Sequence, residues 1–130
     1  MTKRVDGFLH EELTHDIIGA FYEVYNELGY GFLESVYAAA LADILGSRGH
    51  TVSREVAICV HFRGREIAWQ RLDMLVDKAV VLEIKSTHEL PKTAPRQLFN
   101  YLKATRLEVG LLFHFGPEPK FFRLVSSNKR

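Results

Sequence analysis

Residues Val109-Gly110-Leu111-Leu112-Phe113-His114-Phe115 are apolar but for one side chain, and Gly116-Pro117 ends the run. A strand with one wet face alternates apolar and polar residues. A run that is apolar at both parities reads as a strand buried on both faces. Such a strand must lie inside a sheet that other elements cover, and the rest of the chain supplies them. Leu13, Ile17, Phe21, Val24, Tyr25 and Leu28 recur at helical spacing and predict an amphipathic helix over about 11–28, ended by Gly29 and Gly31. A second helix over about 33–48 carries Val36, Tyr37, Ala40, Leu41, Ile44 and Leu45 as its apolar stripe. Strands are expected at 56–62, 66–76 and 80–86, the first two joined by Arg63-Gly64-Arg65. Pro91 and Pro95 bracket the entry to a third helix over about 95–104, and 121–125 reads as a short last strand. The order α-α-β-β-β-α-β-β describes an α/β (α+β) arrangement, a mixed sheet with helices packed on it.

The 130 residues suit a single domain with its core over about 11–125, and a chain 47% hydrophobic and 25% charged is ordinary for a globular protein. Its one cysteine, Cys59, excludes an internal disulfide and fits a reducing cytoplasm; it reads as a small apolar residue of the strand 56–60. No apolar run approaches the roughly 20 residues that span a bilayer. Met1–Asp6 leads into no signal-peptide core, so the expectation is a cytoplasmic protein with no membrane partner. The tail, Ser126–Arg130, is expected to fray. Charge is unevenly spread. Residues 1–84 hold 8 Lys/Arg against 13 Asp/Glu (net −5), and residues 85–130 hold 9 against 3 (net +6). An acidic half giving metal ligands and a basic half giving phosphate contacts would look like this; so would chance clustering of solvated charge.

Between Arg71 and Lys85 two apolar runs flank the polar pair Asp77-Lys78, the pattern of a β-hairpin. Pairing centred on Lys78 sets Asp73 opposite Glu83. Alternation then puts Asp73, Glu83 and Lys85 on one face and Leu72, Met74, Leu82 and Ile84 on the other. Two carboxylates and an ammonium so placed suit a divalent cation and a phosphate; loosely paired charges on a solvated edge hairpin would look the same. Glu34 falls in the first turn of the second helix, where the helix dipole keeps a carboxylate ionised. Gln97 and Tyr101 lie four apart on the third helix and share a face. Together the three carboxylates could hold one or two Mg²⁺ or Mn²⁺ ions, hard cations that prefer oxygen.

Gly31-Phe32-Leu33-Glu34-Ser35-Val36-Tyr37 matches the signature of the GxxExxY family. The match continues through Leu72–Val76, Val81–Lys85, Gln97–Leu102 and Gly110–Leu112 in order, over about 11–125. That family resembles a compact, RecB-like branch of the PD-(D/E)XK nuclease superfamily. The resemblance implies a restriction-endonuclease-like mixed β-sheet flanked by helices. It implies Glu34, Asp73 and Glu83 as metal ligands, Lys85 as the catalytic lysine, and Gln97 and Tyr101 as the QxxxY pair that orients DNA and the active site. Leu72 stands where the superfamily name has Pro, Tyr30 replaces a common Pro, Tyr25 a frequent His, and His114 a common Asn; none removes a proposed ligand. His10 and His15 are open as additions to the metal shell. His50, His61 and His88 are expected to be exposed, and His114 to be a satisfied core or rim histidine. Without CxxC, HExxH, GxxxxGK or GxSxG patterns, zinc, P-loop and serine-hydrolase chemistry lack support.

The function expected is metal-dependent hydrolysis of nucleic-acid phosphodiesters, DNA rather than RNA, alone, as a homodimer or within a larger complex. The alternative is a nucleic-acid- or protein-binding module that keeps the fold without turnover.

Overall fold

In the computed structural model, which describes residues 10–127, the elements run α1 (Glu11–Leu28), α2 (Glu34–Ser47), β1 (Val52–Phe62), β2 (Arg65–Val76), β3 (Val80–Lys85), α3 (Ala94–Thr105), β4 (Val109–Phe115) and β5 (Pro119–Val125). The expected order holds. The strands form one mixed sheet in the order β1-β2-β3-β4-β5, antiparallel throughout except for the parallel pair β3–β4. β1 and β5 begin earlier than expected: β1 pairs from Val52, which packs on the core ahead of polar Ser53 and Arg54, and β5 pairs from Pro119.

All seven residues of β4 are buried, as its pattern requires. One face of the sheet packs Met74, Leu82, Ile84, Leu111, Phe113 and Phe115 against Ile17, Phe21 and Val24 of α1 and Tyr37, Leu41 and Leu45 of α2. The other packs Ile58, Leu72, Val81 and Leu112 against Leu98, Tyr101 and Leu102 of α3. A Cβ on Gly110 would lie 2.9 Å from Leu98 Cδ1, so the bare backbone there is what lets α3 settle onto β4.

The hairpin register is the expected one: Met74 pairs with Leu82, Leu75 with Val81 and Val76 with Val80. Its turn carries Asp77 at φ 53 and Lys78 at φ 55, the double left-handed geometry whose twist suits a tight hairpin. The pairing stops at Met74↔Leu82. Beyond it one expectation fails, since Leu72 packs under α3 while Met74 packs under α1 and α2. Both pair with β1, through Val56 and Arg54, and between those two Glu55 sits in the left-handed region at φ 51. That residue turns the ribbon over, so alternation cannot carry across it.

Two polar expectations are also corrected. His50 is half-buried, its ring nitrogens 2.5 Å from Asp16 Oδ2 and 2.7 Å from Asp77 Oδ2, so it ties α1 to the hairpin turn. Ser126 is buried and its N–H donates to the Glu108 carbonyl at 2.8 Å, so the chain stays fixed one residue past β5. The rest of the expected frayed tail, from Asn128, and Met1–Asp6 lie outside the described residues.

Candidate active site

A strand's backbone N–H groups at alternate residues point to the same edge. On β3 the edge facing β2 has no backbone partner beyond Leu82, because β2 joins it only from Met74 onward. Two carboxylates take its place. Asp73 Oδ2 accepts the Ile84 N–H at 2.7 Å, and Glu34 Oε2 accepts the Ser86 N–H at 3.2 Å. The acids of β2 and α2 are thereby drawn to the same open edge, interleaved with Glu83 and Lys85. Glu34 and Asp73 also line one cavity of about 230 Å³ together with Arg54, Arg71 and Ile84.

Glu34 reaches this edge because the loop before α2 is clamped. Tyr37, fully buried, donates its hydroxyl to the Gly29 carbonyl at 2.6 Å and accepts the Phe32 N–H at 3.2 Å. Its ring stacks on Phe115, centroids 3.9 Å apart. The Ser86 hydroxyl donates to the Phe32 carbonyl from the β3 side. Gly29 and Gly31, at φ 72 and 113, supply backbone angles that other residues reach only with strain. Tyr37 was placed in the apolar stripe by its spacing; the signal for its second role was its position three residues after Glu34, on the same side of the helix.

Glu83 is 3% exposed and its Oε1 has no hydrogen-bond partner. Lys85 Nζ stands 3.9 Å from Glu83 Oε2, at the outer limit of an ion pair. Burial, then the neighbouring Asp73 charge, push the Glu83 carboxyl up to about 8, against the pull of Lys85 and the Asp73 amide. Asp73 is raised as well, first by burial, with the Ile84 N–H pulling the other way. On α3, Gln97 Nε2 donates to the Tyr101 hydroxyl at 3.0 Å, and that hydroxyl is raised by burial and then by the Glu83 charge. Tyr101 thus feels the charge of Glu83, and Gln97 is tied to Tyr101.

Glu34, Asp73, Glu83 and Lys85 thus gather along one edge of β3, and Gln97 is linked to Tyr101 on α3. The additional histidines do not join that edge. Asp16, next to His15, contacts the hairpin turn, whereas Tyr25 bonds the Gly116 and Pro117 carbonyls at 2.7 and 2.9 Å, beyond the end of β4. Because β3 and β4 are parallel, with Lys85 opposite His114, the acids lie at the Tyr25 end, about 15 Å of helix from His15. His10 lies further still. His61 and His88 are exposed, as expected. His114 is buried, and its Nε2–H donates to the Thr87 carbonyl at 2.8 Å, steadying the loop after β3.

Three carboxylates, two of them raised and one with a buried oxygen lacking any partner, make a donor set that a hard divalent cation satisfies. Among the described residues, the trio whose ligand atoms all fall within 4.8 Å of one another is a different one, Cys59, His61 and Glu66.

A family model described as the PD-(D/E)XK nuclease superfamily matches residues 11–124. No curated protein matches the chain. The crystal structure of SSO0001 is similar in fold, with a TM-score of 0.58 at 18% identity over 90% of this chain, which spans 60% of that protein's length.

Proposed function

From the membership of this chain in the PD-(D/E)XK nuclease superfamily, we propose that it is a Mg²⁺- or Mn²⁺-dependent deoxyribonuclease of the GxxExxY, RecB-like branch, acting as one domain. The observation that carries this reading is the buried, partnerless Oε1 of Glu83 beside Asp73 and Lys85. Glu34, Asp73 and Glu83 would hold the cation, which when bound supplies Lewis acidity toward water and phosphate. Asp73 and Glu34 can each accept a backbone amide, of Ile84 in β3 and of Ser86 just past it, with one oxygen and offer the other, so the backbone aims them. Lys85, not spent on a short ion pair, orients the attacking water and offsets charge on the phosphorus as the ester oxygen departs in line. Gln97 bonds the Tyr101 hydroxyl, and the pair would steady the strand being cut.

The approach to this site supports a polyanionic substrate. A cavity of about 280 Å³ is lined by Gln70, Arg96, Gln97, Asn100 and Tyr101. It shares Gln70 and Asn100 with a second, of about 960 Å³, which runs between α3 and the β1–β2 hairpin past Lys103 and Arg106. α3 carries no acidic residue. With a net charge of +1 over the whole chain, affinity for DNA should be modest and salt-sensitive.

Nicking and degradation of single- and double-stranded DNA with Mn²⁺ or Mg²⁺ test the proposal. Glu83→Ala and Lys85→Ala should each lose roughly 10²-fold or more in rate. Activity equal to wild type in both variants would overturn it. DNA binding without turnover in the wild type would leave the non-catalytic module.

A further inference from the structure

The far end of the β1–β2 hairpin carries chemistry that the nuclease reading does not use. From Cys59↔Trp69 to Val60↔Ala68 the two strands keep one register, which if continued would set His61 opposite Ile67. It does not continue. A bulge between Val60 and His61 shifts the pairing so that His61 faces Glu66. Directly paired residues of an antiparallel ladder share a face, and Cys59 and His61, two apart on β1, share one as well. The one-residue slip is therefore what brings Glu66 onto the side of Cys59 and His61, re-aiming a side chain as bulges do. The thiol sulfur, an imidazole nitrogen and a carboxylate oxygen lie within 4.8 Å of one another, with Cys59 half-buried and the other two exposed.

We propose that Cys59, His61 and Glu66 form a Zn²⁺ site that closes the tip of this hairpin. Sulfur, nitrogen and oxygen together match the borderline-soft preference of zinc and not that of Mg²⁺ or Mn²⁺, which the oxygen donors of the candidate active site suit. Three protein ligands leave the fourth tetrahedral position to water. The ion ties β1 to β2 across Arg63-Gly64, in the wall of the groove that passes Lys103 and Arg106. Glu66 lies seven residues from Asp73 along β2, about 20 Å away, so the two metals would be held independently.

The test is Co²⁺ titration of the metal-stripped chain, read by the near-ultraviolet thiolate-to-cobalt charge-transfer band and by intense tetrahedral visible bands. Both should appear at one equivalent in the wild type, persist in Asp73→Ala/Glu83→Ala, and vanish on addition of one equivalent of Zn²⁺. Cys59→Ser should abolish the charge-transfer band, and His61→Ala or Glu66→Ala should weaken Co²⁺ at least tenfold. A folded wild type with no thiolate band, or a band of unchanged affinity in both His61→Ala and Glu66→Ala, overturns the proposal. Because the band needs a thiolate, its presence or loss is independent of whether the candidate active site binds metal or cuts DNA.

Discussion

Replacing Glu83 by Gln should stabilise the metal-free protein, by an amount that grows with pH. The carboxyl titrates near 4.5 when unfolded and is pushed up to about 8 in the fold. A raised carboxyl binds its proton more tightly in the folded state. Its penalty on stability is therefore absent below about 4.5, grows as pH rises, and levels off once pH passes about 8. At 1.36 kcal/mol per unit, ionising Glu83 in place costs on the order of 4 kcal/mol at pH 8 and under about 1 kcal/mol at pH 5. Glutamine keeps the shape and an acceptor for the Asp73 amide but never ionises. Urea unfolding in EDTA, at intervals from about pH 5 to about pH 8, should thus show Glu83→Gln gaining on the wild type by about 3 kcal/mol across the range. Excess Mn²⁺ should reverse the ranking, because the wild type recovers its penalty through the cation and the variant cannot. Parallel stability curves in EDTA would refute the reasoning, since they would mean that the carboxylate is hydrated in place.

Tyr37→Phe removes a buried hydroxyl holding two backbone groups and should cost about 1–2 kcal/mol by denaturant unfolding; it should also weaken Mn²⁺ binding in calorimetry, because the clamp aims Glu34. Gly110→Ala should destabilise by about 1–3 kcal/mol as Leu98 gives way, and should lower turnover further than Tm predicts, since α3 carries Gln97 and Tyr101. His50 is raised above 6.5 by Asp16 and Asp77, which are lowered below 3.8 by His50. Stability from this trio should be lost as pH rises through the folded His50 value and lost again as pH falls through those of the two acids. His50→Ala should flatten that dome in melting curves from about pH 3 to about pH 9.

What could be read without coordinates was whatever local pattern carries. The burial of 109–115, the turn at Asp77-Lys78 and the register that follows from it are all consequences of side-chain period, and the structure keeps them. Asp73, Glu83 and Lys85 gather at one edge, and Gln97 bonds Tyr101, because register and helix spacing constrain residues one element at a time. Leu72 went to the wrong face because a single left-handed residue on the partner strand, Glu55, resets alternation, and nothing about a glutamate announces that. His50 looked exposed because its two partners lie 34 residues before it and 27 after. Tyr37 is apolar in spacing and polar in effect, and only the loop it closes reveals the second role.

The opening between β2 and β3 has a consequence for how loss of activity should be interpreted. Asp73 and Glu34 stand in for a missing strand, completing the edge of β3 with side chains. Truncating either to alanine leaves a backbone N–H without its acceptor as well as removing an acid, so loss of activity in an alanine variant does not by itself report on the acid. Asparagine and glutamine, which keep an acceptor oxygen, separate the two debts. The same double duty acts over generations: a descendant with no catalytic role would still be held to these two acids, or to their amides, by the sheet itself.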